Sequence, residues 1–240
     1  MGDGRESPVI TSIYSSGQLE HASPWCRSRW KRWMDILSSS LALLLLSPLL
    51  IVIGLSVAIN GGKPIFFRQW RLGQDGRKFQ LRKFRTMSGA ASGGAGVTQK
   101  GDSRVTSVGR WLRRWKLDEL PQFYNVLTGE MTLVGPRPDL ETFWSNATAA
   151  DRQVLRLKPG ITGAASLALY DEEWLLANIP AERLESFYTE QVLPRKVKLD
   201  SEYAAQATFR SDCRILLRTL RLLFLHRRSV AKHTDEMVCR

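Results

Sequence analysis

Two adjacent carboxylates, Asp118 and Glu119, are the main candidates for chemistry in this sequence. They follow a short segment, residues 110–116, that carries four cations, with Leu117 between the segment and the pair. Pro121 suits the first turn of a helix, where its missing N–H costs little. A helix N-terminus and nearby cations both favour an anion, so we expect Asp118 to be ionised and nucleophilic. Glu119 offers the hard oxygen that Mg²⁺ takes alongside substrate phosphates. An ordinary helix N-cap followed by an exposed glutamate is the alternative.

Other kinds of site find little support in the composition. The three histidines, His21, His226 and His233, all fall in the terminal regions, which excludes a histidine-based triad or metal site in the main domain. The three cysteines are far apart and form no CxxC, which argues against both a disulfide scaffold and a zinc site. Any acid, base or nucleophile of the main domain therefore comes from other side chains.

The chain carries a strong positive charge around one long apolar segment. With 35 Lys+Arg and 23 Asp+Glu, the net charge is 35 − 23 = +12, which suits nucleic acid, anionic lipid or a phosphorylated substrate. Residues 36–59 contain no charge, and as a helix they would be about 36 Å long, enough to cross a bilayer core. The Trp- and Arg-rich residues 25–33 before it favour a membrane–water interface, and a secretory signal peptide is not expected.

Two features of this segment favour a re-entrant hairpin over a crossing. Ser47-Pro48 lies in its middle, where proline removes a backbone donor. Basic residues lie on both sides, whereas a spanning helix normally has a one-sided excess. We therefore expect a helix–break–helix that enters and leaves by one face, with a proline-kinked spanning helix as the alternative.

The rest of the chain predicts short strands among helices. Residues 63–87 read as two strands joined by a turn, and the Gly- and Ser-rich residues 88–103 as a flexible loop. A helical pair follows over 104–128, then a short strand at MTLVGPRPDL and another after KPGITG. Helices are expected over 139–157 and 172–190. A basic amphipathic helix over 210–228 could lie on a membrane surface or pack on the core.

Several long motifs together resemble the bacterial sugar transferase family, the monotopic polyprenyl-phosphate phosphoglycosyl transferases. They occur in order over most of the chain, and they are KRWMDIL, SPLL, FFRQWRLG, KFRTM, DSRVTSVGRWLRRWKLDELPQFYNVLTGEMTLVGPRP and LKPGITG. The resemblance implies transfer of a phosphosugar from a UDP-sugar to polyprenyl (undecaprenyl) phosphate with release of UMP, the initiating step of exopolysaccharide, O-antigen or other glycoconjugate synthesis. It also implies the inner (cytoplasmic) membrane of a bacterium, with the catalytic domain facing the cytoplasm.

The resemblance assigns roles to particular residues. It implies that Asp118 is the covalent nucleophile and that Glu119 binds Mg²⁺. Three further residues match basic positions of the family pattern, Lys83, Arg113 and Arg137, and are implied to bind phosphate or substrate. Together with Arg85 they supply enough cations for a diphosphate. Pairing of Lys83 and Arg137 with carboxylates, and packing of Arg85 against the dyad, are the alternatives. Ser47 and Pro48 are implied to break the membrane helix.

The fold class implied is α+β and mostly helical, with a re-entrant membrane segment, a cytosolic catalytic domain with a small β element and a C-terminal amphipathic helix. The expected domains are a mobile tail (1–24), an interfacial and re-entrant segment (25–62), the catalytic domain (63–225) and a basic tail (226–240).

The sequence departs from the common family pattern after Gly163. Many members continue Gly-Trp-Ala-Gln-Val-Asn-Gly-Arg, whereas this chain leads to an Asp-Glu-Glu segment, Asp171–Glu173. That segment could contact the sugar or form a solvated helix start. The identity of the sugar, the residues that recognise the base and the formation of a homodimer stay open. A non-catalytic, membrane-tethered protein that binds nucleic acid or anionic lipid is the competing class; the enzyme interpretation expects membrane lipid but no nucleic acid as partner.

Overall fold

The computed structural model describes residues 22–88, 104–145, 147–170, 176 and 179–238. The predictions for most of the N-terminal tail, for most of the Gly- and Ser-rich loop and for Asp171–Glu173 lie outside these residues. The α-helices are α1 (Arg29–Gly61), α2 (Ser107–Arg114), α3 (Gln122–Thr128), α4 (Ala149–Arg152), α5 (Ala164–Ala168), α6 (Ala181–Phe187), α7 (Leu193–Gln206) and α8 (Phe209–Val238). The strands are β1 (Phe66–Leu72), β2 (Lys78–Phe84), β3 (Thr132–Val134) and β4 (Gly160–Thr162). The described part is mostly helical with a small β element, as the sequence indicates.

The long apolar segment forms one helix, α1, with Pro48 inside it. The predicted break is therefore not a non-helical gap, and this part of the expectation needs correction. The Ser47 hydroxyl donates to the carbonyl of Leu44 at 2.7 Å. In a regular α-helix this carbonyl would accept a hydrogen bond from the N–H of residue 48, but proline has no N–H to donate. Ser47 thus satisfies a backbone acceptor that lipid could not, which explains how the helix continues through a proline.

Both ends of α1 pack against the same folded unit. Near its start, Arg32 donates to the carbonyls of Val126 and Leu127 at the end of α3. Near its end, Ile53 and Val57 join an apolar cluster that includes Phe84 of β2 and Leu112 of α2. Between them, residues 40–52 contain no buried side chain. Because both ends of α1 contact the same folded unit, a segment that enters and leaves by the same membrane face fits better than a helix that crosses the membrane.

Of the described helices, α1 is the one long and apolar enough to cross a membrane by length and composition. Its central part exposes large apolar side chains that water would disfavour, and they include Leu41, Leu44, Leu45, Ile51, Val52 and Leu55. Bilayer insertion of this stretch follows as the physical expectation. The re-entrant path itself stays a prediction.

Cysteine labelling tests that path. In a chain whose native cysteines are replaced by serine, Arg29→Cys and Arg68→Cys place single thiols at exposed positions on either side of the apolar stretch. We expect neither thiol to react with a membrane-impermeant maleimide in intact cells, and both to react after the inner membrane is permeabilised. Reaction of one thiol from the periplasm, with the other protected, would establish a spanning helix instead.

The two small sheets lie where the sequence predicts strands. Strands β1 and β2 pair antiparallel with Phe67 opposite Lys83, and a turn at Gln74–Gly76 joins them. Strands β3 and β4 pair parallel. Glycine is required between these two strands, because a Cβ on Gly160 would approach the backbone nitrogen of Gly135 to 2.2 Å. The sequence LKPGITG therefore encodes a close contact beside the segment that carries Arg137.

The predicted helix over 139–157 is wrong in detail. The structure has short pieces instead, a 3-10 turn at Glu141–Trp144, the four-residue α4 and a 3-10 turn at Gln153–Arg156. The reason is local, since the extended Thr148 and the side chain of Asp151 form a capping box that starts a new helix. The main apolar cluster, which includes Phe143 and Tyr188, packs around these pieces.

The C-terminal helix predicted over 210–228 is confirmed and is longer than predicted, because α8 runs from Phe209 to Val238. Its first turns face two environments. Asp212 and Ile215 are buried, whereas Leu217 and Leu220 are 67% and 51% exposed. The helix thus packs on the core along one side, as one interpretation predicts, and presents apolar side chains on another; its contact with a membrane surface stays a prediction.

Candidate active site

A sharp change of backbone direction places the carboxylate pair. Lys116 has the left-handed backbone conformation (φ 52°) just after α2, which is costly for a residue with a Cβ. The chain then forms a 3-10 turn, Leu117–Glu119, and Leu120 and Pro121 continue in helical geometry into α3. The predicted helix start is therefore a 3-10 turn that leads into a helix.

The hairpin is fastened to the helices on both sides of the carboxylate pair. Asn125 of α3, fully buried, accepts from the backbone N–H of Arg82 and donates to the carbonyl of Gln80. On the other side, a Cβ on Gly109 of α2 would meet the carbonyl oxygen of Thr86 at 2.1 Å, so only glycine permits this approach. These contacts fix the end of β2, which carries Lys83, against the turn that carries Asp118 and Glu119.

Glu119 is the centre of a compact charge cluster. Lys83 Nζ lies 2.7 Å from Glu119 Oε1, and Arg137 Nη2 lies 2.6 Å from the same oxygen. Arg137 Nη1 also donates to Glu119 Oε2 at 3.5 Å, so the guanidinium approaches the carboxylate as a fork. Although burial opposes ionisation, Arg137 and Lys83 hold the pKa of Glu119 well below its usual range.

Pairing with a carboxylate, the alternative raised for Lys83 and Arg137, is thus what the structure shows. Both cations remain partly accessible, with side chains 22% and 34% exposed. Both contact Glu119, the neighbour of Asp118, so a role in phosphate binding is compatible with this geometry and stays a prediction.

Asp118 is buried, and one of its carboxylate oxygens lacks a polar contact within the described part of the chain. Its Oδ1 has no hydrogen-bond partner among the described residues. Burial raises the pKa of Asp118 above its ordinary value, the charge of Glu119 raises it further, and Lys83, Lys116 and Arg113 only oppose this. The expectation that cations keep this carboxyl ionised therefore underestimates desolvation. A buried carboxylate oxygen without a partner is unusual and suits a group that must react.

The other two predicted cations lie in different positions. Arg113 donates from Nε to the Thr86 hydroxyl at 2.9 Å and is near enough to Asp118 to lower its pKa. Arg85 donates to the carbonyls of Met87 and Lys63 at 2.9 Å each, so it fastens backbone segments together. Arg85 therefore has a structural task in this state, and its predicted contact with substrate stays untested.

Arg71 also lies near the site, although it is not among the site residues predicted from the sequence. Burial lowers the pKa of Arg71, and the charges that act on it include Asp139, Arg137 and Glu119. Its Nε lacks a hydrogen-bond partner among the described residues. The alternation of β1 contained the signal, because every second residue of that strand turns inward and Arg71 is one of them.

The donor set fits a divalent cation only together with substrate oxygens. The described residues contain no group of three or more His, Cys, Asp and Glu side chains that could hold a metal. Mg²⁺, however, is commonly bound by one or two carboxylates plus substrate phosphates. Asp118, whose Oδ1 has no hydrogen-bond partner among the described residues, and the adjacent Glu119 are two such carboxylates. The residues present therefore fit a Mg²⁺ ion that is shared with a diphosphate.

Comparison with known proteins agrees with the motifs. Residues 26–226 match the family model described as bacterial sugar transferase. The chain is 38% identical over 202 residues to the UDP-glucose:undecaprenyl-phosphate glucose-1-phosphate transferase of Escherichia coli K12, covering 79% of this chain and 39% of that protein. It is 34% identical over 194 residues to the transferase of the same name from Caulobacter vibrioides, covering 79% and 68%.

Coverage differs among the relatives. The exopolysaccharide production protein ExoY of Rhizobium meliloti is 34% identical over 215 residues, with 83% of this chain and 87% of that protein covered. By contrast, the chain spans only 39%, 35%, 33% and 30% of the length of four other relatives. Their activities are therefore not transferred to this chain as a whole.

Proposed function

The chain belongs to the bacterial sugar transferase family, and from this premise we propose that it transfers a phosphosugar from a UDP-sugar to polyprenyl phosphate. The observation that carries the proposal is the buried Asp118, whose Oδ1 has no hydrogen-bond partner among the described residues, beside a glutamate held by Lys83 and Arg137. Phosphoryl transfer depends mainly on positioning and on neutralising charge, which this cluster supplies. Family membership favours this enzyme over the alternative of a non-catalytic basic binding protein.

The proposed reaction has two displacements at one phosphorus. A carboxylate oxygen of Asp118 forms a bond to the sugar-linked phosphorus, and the bond from that phosphorus to the bridging oxygen breaks, releasing UMP. A phosphate oxygen of the polyprenyl carrier then bonds to the same phosphorus while the bond to Asp118 breaks, which restores the carboxylate. Splitting the transfer lets a soluble donor and a membrane-bound acceptor use one site in turn.

The cations of the site have separate tasks in this proposal. Lys83 and Arg137, which hold Glu119 in the free chain, bind the arriving diphosphate oxygens. Glu119, with Asp118 beside it, would hold Mg²⁺, which supplies charge neutralisation on the diphosphate when bound. Arg113 keeps a positive charge near Asp118 and counteracts the rise in its pKa. Membrane insertion of α1 brings this cluster to the surface where the lipid-linked acceptor lies, with the catalytic unit on the cytoplasmic side.

The activity is tested directly with purified full-length chain in nanodiscs. We expect release of UMP from at least one UDP-sugar and formation of a polyprenyl diphosphate-sugar, both dependent on Mg²⁺. Because the names of the relatives include glucose and N-acetylgalactosamine donors, the screen covers a panel of UDP-sugars. Absence of product with every donor, from a folded chain, together with salt-sensitive binding of nucleic acid, would favour the binding-protein alternative.

Arg137→Lys is expected to lower kcat/KM by roughly tenfold to a hundredfold, because a planar fork is replaced by a point charge and at least one charged hydrogen bond is lost. Pro136 and Pro138 restrict the backbone on both sides of this residue, so the side chain starts from an ordered position. The measurement is steady-state UMP release. Arg110→Lys, at an exposed position of α2, is the matched control and should be near normal. Near-normal kinetics of Arg137→Lys would remove that residue from the site.

A further inference from the structure

A cavity lies where the start of α1 meets strand β3. Its volume is about 270 Å³, and its walls include Ser28 and Lys31 from the first helical turn, Thr132 and Val134 from β3, and Lys158 just before β4. Asp118, Glu119 and Lys83 do not line it. The cavity is therefore separate from the carboxylate pair, although its wall at Gly135 and Pro136 directly precedes Arg137 in the chain.

The lining of this cavity is strongly positive. It contains four cations, Arg27, Lys31, Arg32 and Lys158, and one carboxylate, Asp35, so its formal charge is 4 − 1 = +3. The carboxylate is already occupied, because Asp35 accepts from the Thr132 hydroxyl at 2.7 Å and from the Leu133 amide at 3.1 Å. Asp35 is thus directed towards β3 and leaves part of the positive charge uncompensated.

The four cations differ in how far they are engaged. Lys31 forms a buried ion pair with Asp212, and Arg32 donates to two carbonyls at the end of α3. Lys158 has no hydrogen bond or ion pair within the described part of the chain. Burial lowers the pKa of Lys158, and the charge of Arg32 lowers it further, while Asp35 only partly opposes them. An anion in the cavity would relieve this repulsion, and the first turn of a long helix adds to the attraction.

The residues around the cavity indicate which kind of anion it binds. Trp30 and Trp33 lie on the same turns of α1 and are 75% and 66% exposed, as expected at headgroup depth. The exposed apolar stretch of α1 follows directly. The volume lies below the range of about 300–1,000 Å³ typical of pockets for drug-sized ligands, which suits a headgroup more than a nucleotide sugar.

We propose that this cavity binds the phosphate of an anionic phospholipid headgroup, with Lys158 and Arg27 as its direct partners. The bound lipid would hold the start of α1 at a fixed depth beside β3. The proposal does not depend on the transfer reaction, and its test measures lipid occupancy, so its failure and the failure of the proposed function are distinguishable.

The test is lipid binding by the full chain in phosphatidylcholine nanodiscs that contain a small, varied fraction of phosphatidylglycerol. Retained lipid is counted by native mass spectrometry after release from the disc. We expect one phosphatidylglycerol retained per chain, and roughly tenfold weaker retention in Lys158→Gln and in Arg27→Gln, because each loses a charged contact to phosphate. Lys198→Gln and Arg29→Gln remove the same charge from exposed positions outside the cavity and should retain the lipid normally.

Three results would overturn the proposal. One is equal loss of lipid in the cavity variants and their controls, which would show diffuse attraction only. Another is unchanged retention in a Lys158→Glu variant whose circular dichroism and melting temperature match the parent chain. The third concerns the source of the phosphate: if millimolar inorganic phosphate displaces the lipid completely, the cavity is a site for free phosphate.

Discussion

Asp118→Asn is expected to abolish UMP release, with a loss of at least about a thousandfold, because an amide cannot form the bond to phosphorus that the carboxylate forms. The assay uses donor alone, without polyprenyl phosphate. The parent chain should release up to one UMP per molecule and gain the mass of one phosphosugar on the peptide that contains Asp118. The variant should show neither.

The structure predicts that this variant folds. Asp118 Oδ1 makes no hydrogen bond among the described residues, and burial raises the pKa of the carboxyl, which means that the fold disfavours its charged form. A neutral amide of the same shape should therefore leave the melting temperature unchanged or raise it. Loss of activity can then be assigned to the missing nucleophile.

Asp75→Asn is the matched control, since Asp75 is exposed in the hairpin turn and has a left-handed backbone that asparagine tolerates. It should keep normal activity. The covalent route would be wrong if the parent chain released UMP only in the presence of polyprenyl phosphate and no adduct appeared on Asp118. Direct transfer in a ternary complex would then replace it.

The contacts within this candidate site are harder to predict from the sequence than the elements that carry its residues. Asp118 and Glu119 are adjacent, so their proximity needs no fold, and the alternating pattern of residues 63–87 correctly predicts the hairpin that carries Lys83. Lys83 and Arg137 lie 36 and 18 residues away from Glu119 in the chain, yet both contact its carboxylate. Only the tertiary fold brings them together. Local spacing contains no information about it.

Local patterns are least informative where they compete with packing. The cations that precede Asp118 favour its ionised form, but desolvation raises its pKa and depends on burial, which sequence does not give. Sequence also does not show that Arg85 donates to the carbonyls of Lys63 and Met87, and its predicted contact with substrate stays a prediction. Helix patterning over 139–157 overlooked the capping box at Thr148, although that signal was present in the residues.

Glu119→Gln should be the second severe change, with activity lowered by roughly a hundredfold or more and stability lowered by about 1–3 kcal/mol. In the free chain Glu119 is the shared partner of Lys83 and Arg137. The amide can accept one hydrogen bond but offers no negative charge, so two cations are left facing each other beside a buried carboxyl. The measurements are UMP release and the melting temperature. Glu141→Gln is the control, because its exposed pair with Lys78 should contribute little.

The same variant separates two roles of Glu119. If it only holds the two cations in place, the Mg²⁺ concentration for half-maximal activity should not change. If it is also a metal ligand, that concentration should rise, and excess Mg²⁺ should restore part of the lost activity. Unchanged Mg²⁺ dependence together with low activity would leave Glu119 as a positioning residue and exclude it as a ligand.

Binding of a diphosphate tests whether Lys83 and Arg137 receive phosphate, because the diphosphate supplies the negative charge that Glu119→Gln lacks. In the parent chain, UDP must compete with Glu119 for Lys83 and Arg137, whereas in Glu119→Gln both cations lack a full negative partner. UDP without Mg²⁺ should therefore raise the melting temperature of Glu119→Gln more than that of the parent chain. An equal or smaller shift would mean that these cations do not receive the diphosphate, and the phosphate-binding role of both Lys83 and Arg137 would have to be abandoned.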